Sequence, residues 1–368
     1  MDIEFLRAEF PVTKRLVYLD IANKTPPPRR VAAAAQAFFE RAWSDGGAES
    51  YSMQGVEAVR ARVARLLGAQ AGEIAFVKNT SEGLNIAGHA LGVHAGDNVV
   101  ISSLEHPNLV AAFASLARDG VEVRVAAGAD GRPSVEVILA CCDERTRAVA
   151  VSFVTWAAGH RLDIAALAAA VRPRGITLVV DAIQALGVLD IDARRLGVDI
   201  LVAGAHKGLL AVNGIGVLYC RADLIGRLRP AFAARSSLAP GALGSGDLVF
   251  ADDARRFEFG NPNYLGIHLL GTAIDLIEEI GVPRIEARVR QLTDHLWAVL
   301  EAAGRTVRTP REWGERAGII TFDDPNAGAT VARLREAGIV VSARGGGVRT
   351  SPHFYNTEAE LDALVARL

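Results

Sequence analysis

Lys207, in Gly204-Ala205-His206-Lys207, follows the apolar run 199–203 and is the residue of this 368-residue chain best placed to do chemistry. A short run rich in β-branched residues reads as a buried strand. The end of such a strand opens at the sheet rim, where α/β folds hold their ligands. Burial there lowers an amine's pKa, so that a lysine can form a Schiff base or carry a proton. Upstream, Asp181 ends the run 176–181 and reaches the same rim. A carboxylate at that point can pair with a protonated ring nitrogen, and Gln184, one turn further, can donate to a ring oxygen. The chain contains neither G-x-G-x-x-G nor G-x-x-x-x-G-K-[ST], so Asp181 lacks the other half of a dinucleotide or P-loop site.

Two further rim positions carry polar groups. After the run 74–78, Asn79-Thr80-Ser81-Glu82-Gly83-Leu84-Asn85 opens a helix. Hydroxyls and free N–H groups at a helix N-terminus make a phosphate cradle. Glu105-His106-Pro107-Asn108 follows the run 98–102, which brings His106 to the rim, where its ring can stack on a flat ligand.

The elements that must position these groups are seven candidate strands at 74–78, 98–102, 121–125, 148–154, 176–181, 199–203 and 214–219. Alanine-rich helical patterns at 56–67, 109–119 and 164–171 lie between several of them. In the last, Ile164, Leu167, Ala168 and Val171 share one face behind an Asp163 N-cap. This alternation predicts an α/β fold with a mostly parallel sheet covered on both faces. The pattern breaks at 235–263, a turn-rich segment that includes Arg235-Ser236-Ser237-Leu238-Ala239-Pro240-Gly241-Ala242-Leu243-Gly244-Ser245-Gly246. A structureless segment of that length is usually functional. A second α/β segment then runs to the C-terminus, where Thr357 and Glu360 form a capping box. The expected division is a large domain at 15–265 and a small one made of 1–14 and 266–368.

Half the residues are hydrophobic, 22% are charged, and the formal net charge is −2 with no basic run. Binding to nucleic acid or to an anionic membrane through net charge is therefore not expected. The acidic start and the lack of any roughly 20-residue apolar run predict a cytoplasmic protein. The three cysteines, Cys141, Cys142 and Cys220, form no disulfide framework and no zinc spacing.

Taken together, Tyr18-Leu19-Asp20, the 79–85 cradle, Glu105-His106, Asp181 to Gln184, His206-Lys207, 257–263 and Arg349 to Thr357 resemble the class V aminotransferase-fold enzymes. This branch of the pyridoxal 5′-phosphate (PLP) superfamily contains cysteine desulfurases, selenocysteine lyases and isopenicillin N epimerase-like proteins. The resemblance implies fold type I, with a large seven-stranded sheet domain and a small α/β C-terminal domain. It implies Lys207 as the Schiff-base lysine, Asp181 at the pyridine nitrogen and Gln184 near the phenolic oxygen. It further implies His106 over the ring, Thr80, Ser81 and His206 around the phosphate, and Arg349 on the substrate α-carboxylate. A homodimer is expected by the same resemblance, with the 235–263 segment reaching the partner's cofactor site and Asn261 touching phosphate.

The chain also departs from the desulfurases. Their mobile loop before the equivalent of Arg349 carries a sulfur-accepting cysteine, whereas here the loop is Ser342-Ala343-Arg344-Gly345-Gly346-Gly347-Val348 and no cysteine follows Cys220. A persulfide mechanism needs a thiolate. Gly204 stands where desulfurases usually have a serine facing the phosphate, and Phe153 where they often have an asparagine near the cofactor. These departures resemble the epimerase-like and cysteine-conjugate-processing branch. The resulting expectation is a C–S β-lyase acting at Cα and Cβ of an amino acid or cysteine S-conjugate. Aminotransferase, epimerase and decarboxylase outcomes share its first steps, and a non-enzymatic PLP-fold binding module is the remote alternative. Asn23 and Lys24 lie near the expected substrate entrance and are candidates to read a second carboxylate, the alternative being a solvated loop.

Overall fold

The structure is a computed structural model and describes residues 2–128, 132–242 and 248–368. Twelve strands occur among the described residues: β1 (Val17–Tyr18), β2 (Ile74–Val77), β3 (Asn98–Ser102), β4 (Glu122–Ala126), β5 (Thr146–Ser152), β6 (Thr177–Asp181), β7 (Ile200–Gly204), β8 (Gly216–Cys220), β9 (Ile320–Asp323), β10 (Ile339–Val340), β11 (Ser342–Arg344) and β12 (Gly347–Thr350). Seven form the large sheet in the order β2-β8-β7-β6-β5-β3-β4. They match the seven strands expected from sequence, with ends shifted by up to two residues.

Strands β4, β3, β5, β6 and β7 are parallel. Only β8 is reversed, and β2, antiparallel to β8, regains the direction of the rest. The C-terminal ends of β2 to β7 therefore open on one rim, joined there by the N-terminal end of β8.

The sheet is buried on both faces, as period-2 alternation within apolar strands requires. Val149, Val151, Leu178, Val180, Leu201 and Ala203 enter one core. Their alternates Ala148, Ala150, Val179, Ile200 and Val202 enter the other. The helix Ile164–Val171 is capped by the Asp163 side chain, as its sequence predicts. The pattern at 109–119 forms the helix Pro107–Ala114 and then a 3-10 turn, Ser115–Asp119.

A third core, around Leu19, Leu296, Ile320, Phe322, Val348 and Leu361, belongs to the C-terminal region. It lies against the three-stranded antiparallel sheet β11-β12-β9. The chain's N-terminal part returns to this region: β1 pairs in parallel with β10, and Phe10 stacks on Tyr355 at 4.2 Å. Thr357 and Glu360 close the expected capping box on the helix Glu358–Val365. In the 235–263 segment the described residues form two 3-10 turns, Arg235–Ser237 and Ala254–Phe257; positions 243–247 lie outside the described residues. Among the described residues no helix is long and apolar enough to cross a membrane.

Candidate active site

At the common rim lies a cavity of about 690 Å³ whose lining includes Lys207, Asp181, Gln184 and His206. Thr80, Ser81, His106 and Arg349 line it as well. Eight of the nine sequence-predicted site residues thus meet in one space. The ninth, Asn261, lies outside it, in a neighbouring cavity of about 420 Å³ that shares Lys78 and Gly214 with the first.

Two turns set the relation between Asp181 and Lys207. Asp181 ends β6, and its Oδ1 accepts the Ile183 N–H at 3.0 Å. The turn then runs to Gly187, whose φ is +84°, a conformation glycine adopts without strain. An added Cβ at Gly187 would meet the Gly208 carbonyl oxygen at 2.2 Å. The loop that follows Asp181 and the loop that carries Lys207 are therefore in backbone contact. Just beyond Lys207, Leu210 sits at φ +60°, the one non-glycine residue among those described with positive φ. Its N–H donates to the Lys207 carbonyl at 2.9 Å.

Burial governs the charges here. The Lys207 side chain is nearly buried, which lowers its pKa to about 8 against the opposing pull of Asp181. Burial likewise pushes Asp181 up to about 6, offset by the Ile183 N–H and Lys207. Burial thus moves each group toward its neutral form, although near pH 7 both stay mainly charged and face each other as an amine and a carboxylate. Burial also lowers His206 to about 4, so it is neutral near pH 7. His106 is lowered too, by burial and then by Lys207, Arg349 and Arg344.

The cradle is formed by the helix Thr80–Ala90. Its N-cap, Asn79, accepts from the Glu82 N–H at 2.9 Å. The N–H groups of a helix's first turn have no intrahelical partner. Thr80 Oγ1 is buried and has no hydrogen-bond partner among the described residues. A buried orphan hydroxyl is costly and calls for a ligand. Gly204 keeps the space in front of it open, since a Cβ there would stand 3.1 Å from both Thr80 Oγ1 and the His206 ring. A phosphate fits this donor set.

Across the cavity, Arg349 is 2% exposed and binds Asp20 Oδ1 at 3.2 Å and the Trp156 carbonyl at 2.8 Å. Asp20 Oδ2 accepts from Ser342 Oγ at 2.6 Å, so one buried carboxylate fixes both strands of the β11–β12 hairpin. Gln184 Nε2 donates to the Ala22 carbonyl at 2.9 Å, which leaves its second N–H for a ligand. His106 is the N-cap of Pro107–Ala114, and its ring meets Trp156 edge-on at 5.1 Å. Asn23 lines the cavity, and Lys24 is absent from the lining.

Phe153, which stands where desulfurases often have an asparagine, contributes no side chain to the cavity. It is 3% exposed within the core and does not line the cavity, because Trp156, three residues on, takes the rim position after β5. Lys78, Asn213 and Trp156 are lining residues that sequence reasoning missed. The signal for Trp156 and Lys78 was their place just beyond strand ends, and Asn213 enters because β8 runs in reverse. Glu105 was also given no role. Its buried carboxylate accepts from Ser102 Oγ and from the Ser152 N–H, joining the ends of β3 and β5 beside His106, and burial raises it to about 7.

No thiol lines the cavity among the described residues. Cys220 is fully buried in β8, where burial holds its thiol protonated, and burial raises Cys142 as well.

The family model for Aminotransferase class-V matches residues 17–364. Probable cysteine desulfurase of Methanothermobacter thermautotrophicus is 31% identical, covering 99% of this chain and 96% of that protein. Cysteine desulfurase of Yersinia pestis bv. Antiqua is 32% identical over 100% of this chain and 97% of its own length. Among solved structures, the apo cysteine desulfurase of Thermococcus onnurineus NA1 superposes with a TM-score of 0.89 at 26% identity, covering 99% of this chain and 96% of that one.

Proposed function

Because the chain belongs to the class-V aminotransferase family of PLP-dependent enzymes, with the fold type I sheet described above, we infer that it cleaves a C–S bond at Cβ of an amino acid or cysteine S-conjugate without a protein persulfide. The observation that carries this reading is one cavity that holds Lys207, Asp181 and the Thr80 cradle and has no thiol among its described lining residues.

The residues present fit the cofactor. Thr80, Ser81 and His206 would hold its phosphate, with the orphan Thr80 hydroxyl as first donor. Of the lining residues, Asp181 would pair with the ring nitrogen, Gln184 would offer its free N–H to the ring oxygen, and His106 would cover the ring. When bound, the cofactor supplies an electron sink for bonds broken at Cα. Lys207 would hold it covalently through its Nζ. Lys207 Nζ then takes the Cα proton, a task suited to an amine whose pKa is about 8. Arg349 orients the substrate by a planar fork on the α-carboxylate. Loss of the Cβ–S bond and uptake of one water give a free thiol, pyruvate and ammonia.

The relatives named cysteine desulfurase support the C–S chemistry. The absence of any cysteine after Cys220 supports elimination over transfer of sulfur to the protein. Incubation with S-substituted cysteines should release pyruvate, and Lys207→Ala should abolish both that release and the visible absorbance of the holoenzyme. Undiminished turnover in Lys207→Ala, or a keto acid that retains the side chain, rejects the reading. Arg349→Ala should raise KM for α-amino acids by about ten-fold or more, as loss of a charge-assisted contact requires.

A further inference from the structure

Arg344 and Arg349 lie on one face of a two-stranded hairpin. Arg349 stands opposite Ser342 in the antiparallel register, and Arg344 stands opposite Gly347. Residues two apart in a strand share a face, so Arg344 is the diagonal neighbour of Arg349. Both line the cavity.

Their charges are met differently. Arg349 is neutralised by buried Asp20. Arg344 is half-buried, and its Nη1 donates only to the carbonyl of Ala343, at 2.8 Å. Among the described residues Arg344 has no carboxylate within ion-pair distance. Two like charges at diagonal positions repel unless an anion lies before them, and Asp20 serves only one.

The backbone that carries Arg344 is itself held in place. Gly345 and Gly346, at φ +58° and +76°, make the two-residue turn that such hairpins favour. Arg308, paired with Asp323, donates to the Gly345 carbonyl and pins the tip. The phosphate cradle, by contrast, is built from the ends of β2 and β7, not from this hairpin.

We propose that Arg344 is a specificity-determining residue that binds a second carboxylate on the substrate, carried by the substituent beyond Cβ. The substrate class is then an amino acid or cysteine S-conjugate with an acidic side chain. This rests on the reading of Arg349 as the α-carboxylate partner. In that geometry the hairpin grips both ends of the substrate, and Arg344 stands in the segment where desulfurases carry their cysteine. A neutral S-alkyl conjugate leaves Arg344 unmatched and so binds more weakly.

Calorimetric titration of the PLP-loaded protein with unreactive acids tests this. Succinate, glutarate and adipate are each compared with the monocarboxylate of equal chain length. At least one diacid should bind about ten-fold or more tightly than its partner, as one charge-assisted pair implies. Arg344→Gln should erase that gain while the monocarboxylates keep their affinity, and Arg344→Lys should restore part of it. Equal affinities of the two series in the wild type overturn the proposal, as does an equal loss of both series in Arg344→Gln. Arg349→Gln separates the two readings. If it leaves the monocarboxylates unmoved, the α-carboxylate assignment fails, whereas the diacid gain and its loss in Arg344→Gln still decide Arg344.

Discussion

Burial has removed from Lys207 much of its affinity for a proton, and Asp181 restores only part of it. Only a neutral amine attacks a carbonyl, so loading of the apo chain with PLP should accelerate with pH to a plateau with its midpoint near about 8. An exposed lysine would put that midpoint near about 10.4. The sign can be checked with Asp181→Asn. Asp181 raises the Lys207 pKa, so its neutralisation should move the midpoint down. A wild-type midpoint at about 10 or above would show that burial does not act as described. Asp181, Gln184, His206 and Lys207 were legible in the sequence because each follows a strand end in a distinct chemical pattern. Arg344 and Asp20 were quoted without roles, because their meaning lies in a cross-strand register and an ion pair 329 residues apart in sequence.

Strand ends and turns convert those side chains into a site. The loops bearing Asp181 and Lys207 touch at Gly187 and Gly208, where no Cβ fits. Gly187→Ala should cost about 2 kcal/mol or more, from positive φ and from overlap with the Gly208 carbonyl. Denaturant unfolding measures the loss, and PLP affinity should fall with it as the two loops part. A variant with unaltered stability and cofactor affinity would mean that the two loops are positioned by something else. Thr357→Ala, which removes the capping box of Glu358–Val365, should cost about 1 kcal/mol, read by the same unfolding curve. The seven sheet strands were readable because each is a short apolar run between turn signals. The reversal of β8 was not, since its composition does not differ from that of a parallel neighbour. The two-residue strands β1 and β10 were also hidden, being too short for any period and defined only by pairing between the chain's two ends.

Across the molecule, one stretch of exposed apolar surface lies in the N-terminal region. Trp43 is 91% exposed and Phe39, four residues earlier on the same helix face, is 59% exposed. Tyr51 adds to it nearby. The expected assembly is a homodimer that covers such a surface, with Asn261 and the 257–263 segment near the partner's cavity. Sedimentation should give a dimer at micromolar concentration, and Trp43→Glu should shift it toward monomer; a wild type that sediments as a monomer excludes this assembly. The central claim concerns sulfur. On the proposed function, the lysine-bearing cavity needs no protein thiol as acceptor to cleave C–S bonds, which can be measured in a cysteine-free chain, Cys141→Ser, Cys142→Ser and Cys220→Ala. Pyruvate release from an S-alkylcysteine by this variant should stay within about two-fold of the wild type. A fall of about 100-fold or more, with the holoenzyme's visible absorbance intact, would contradict the account.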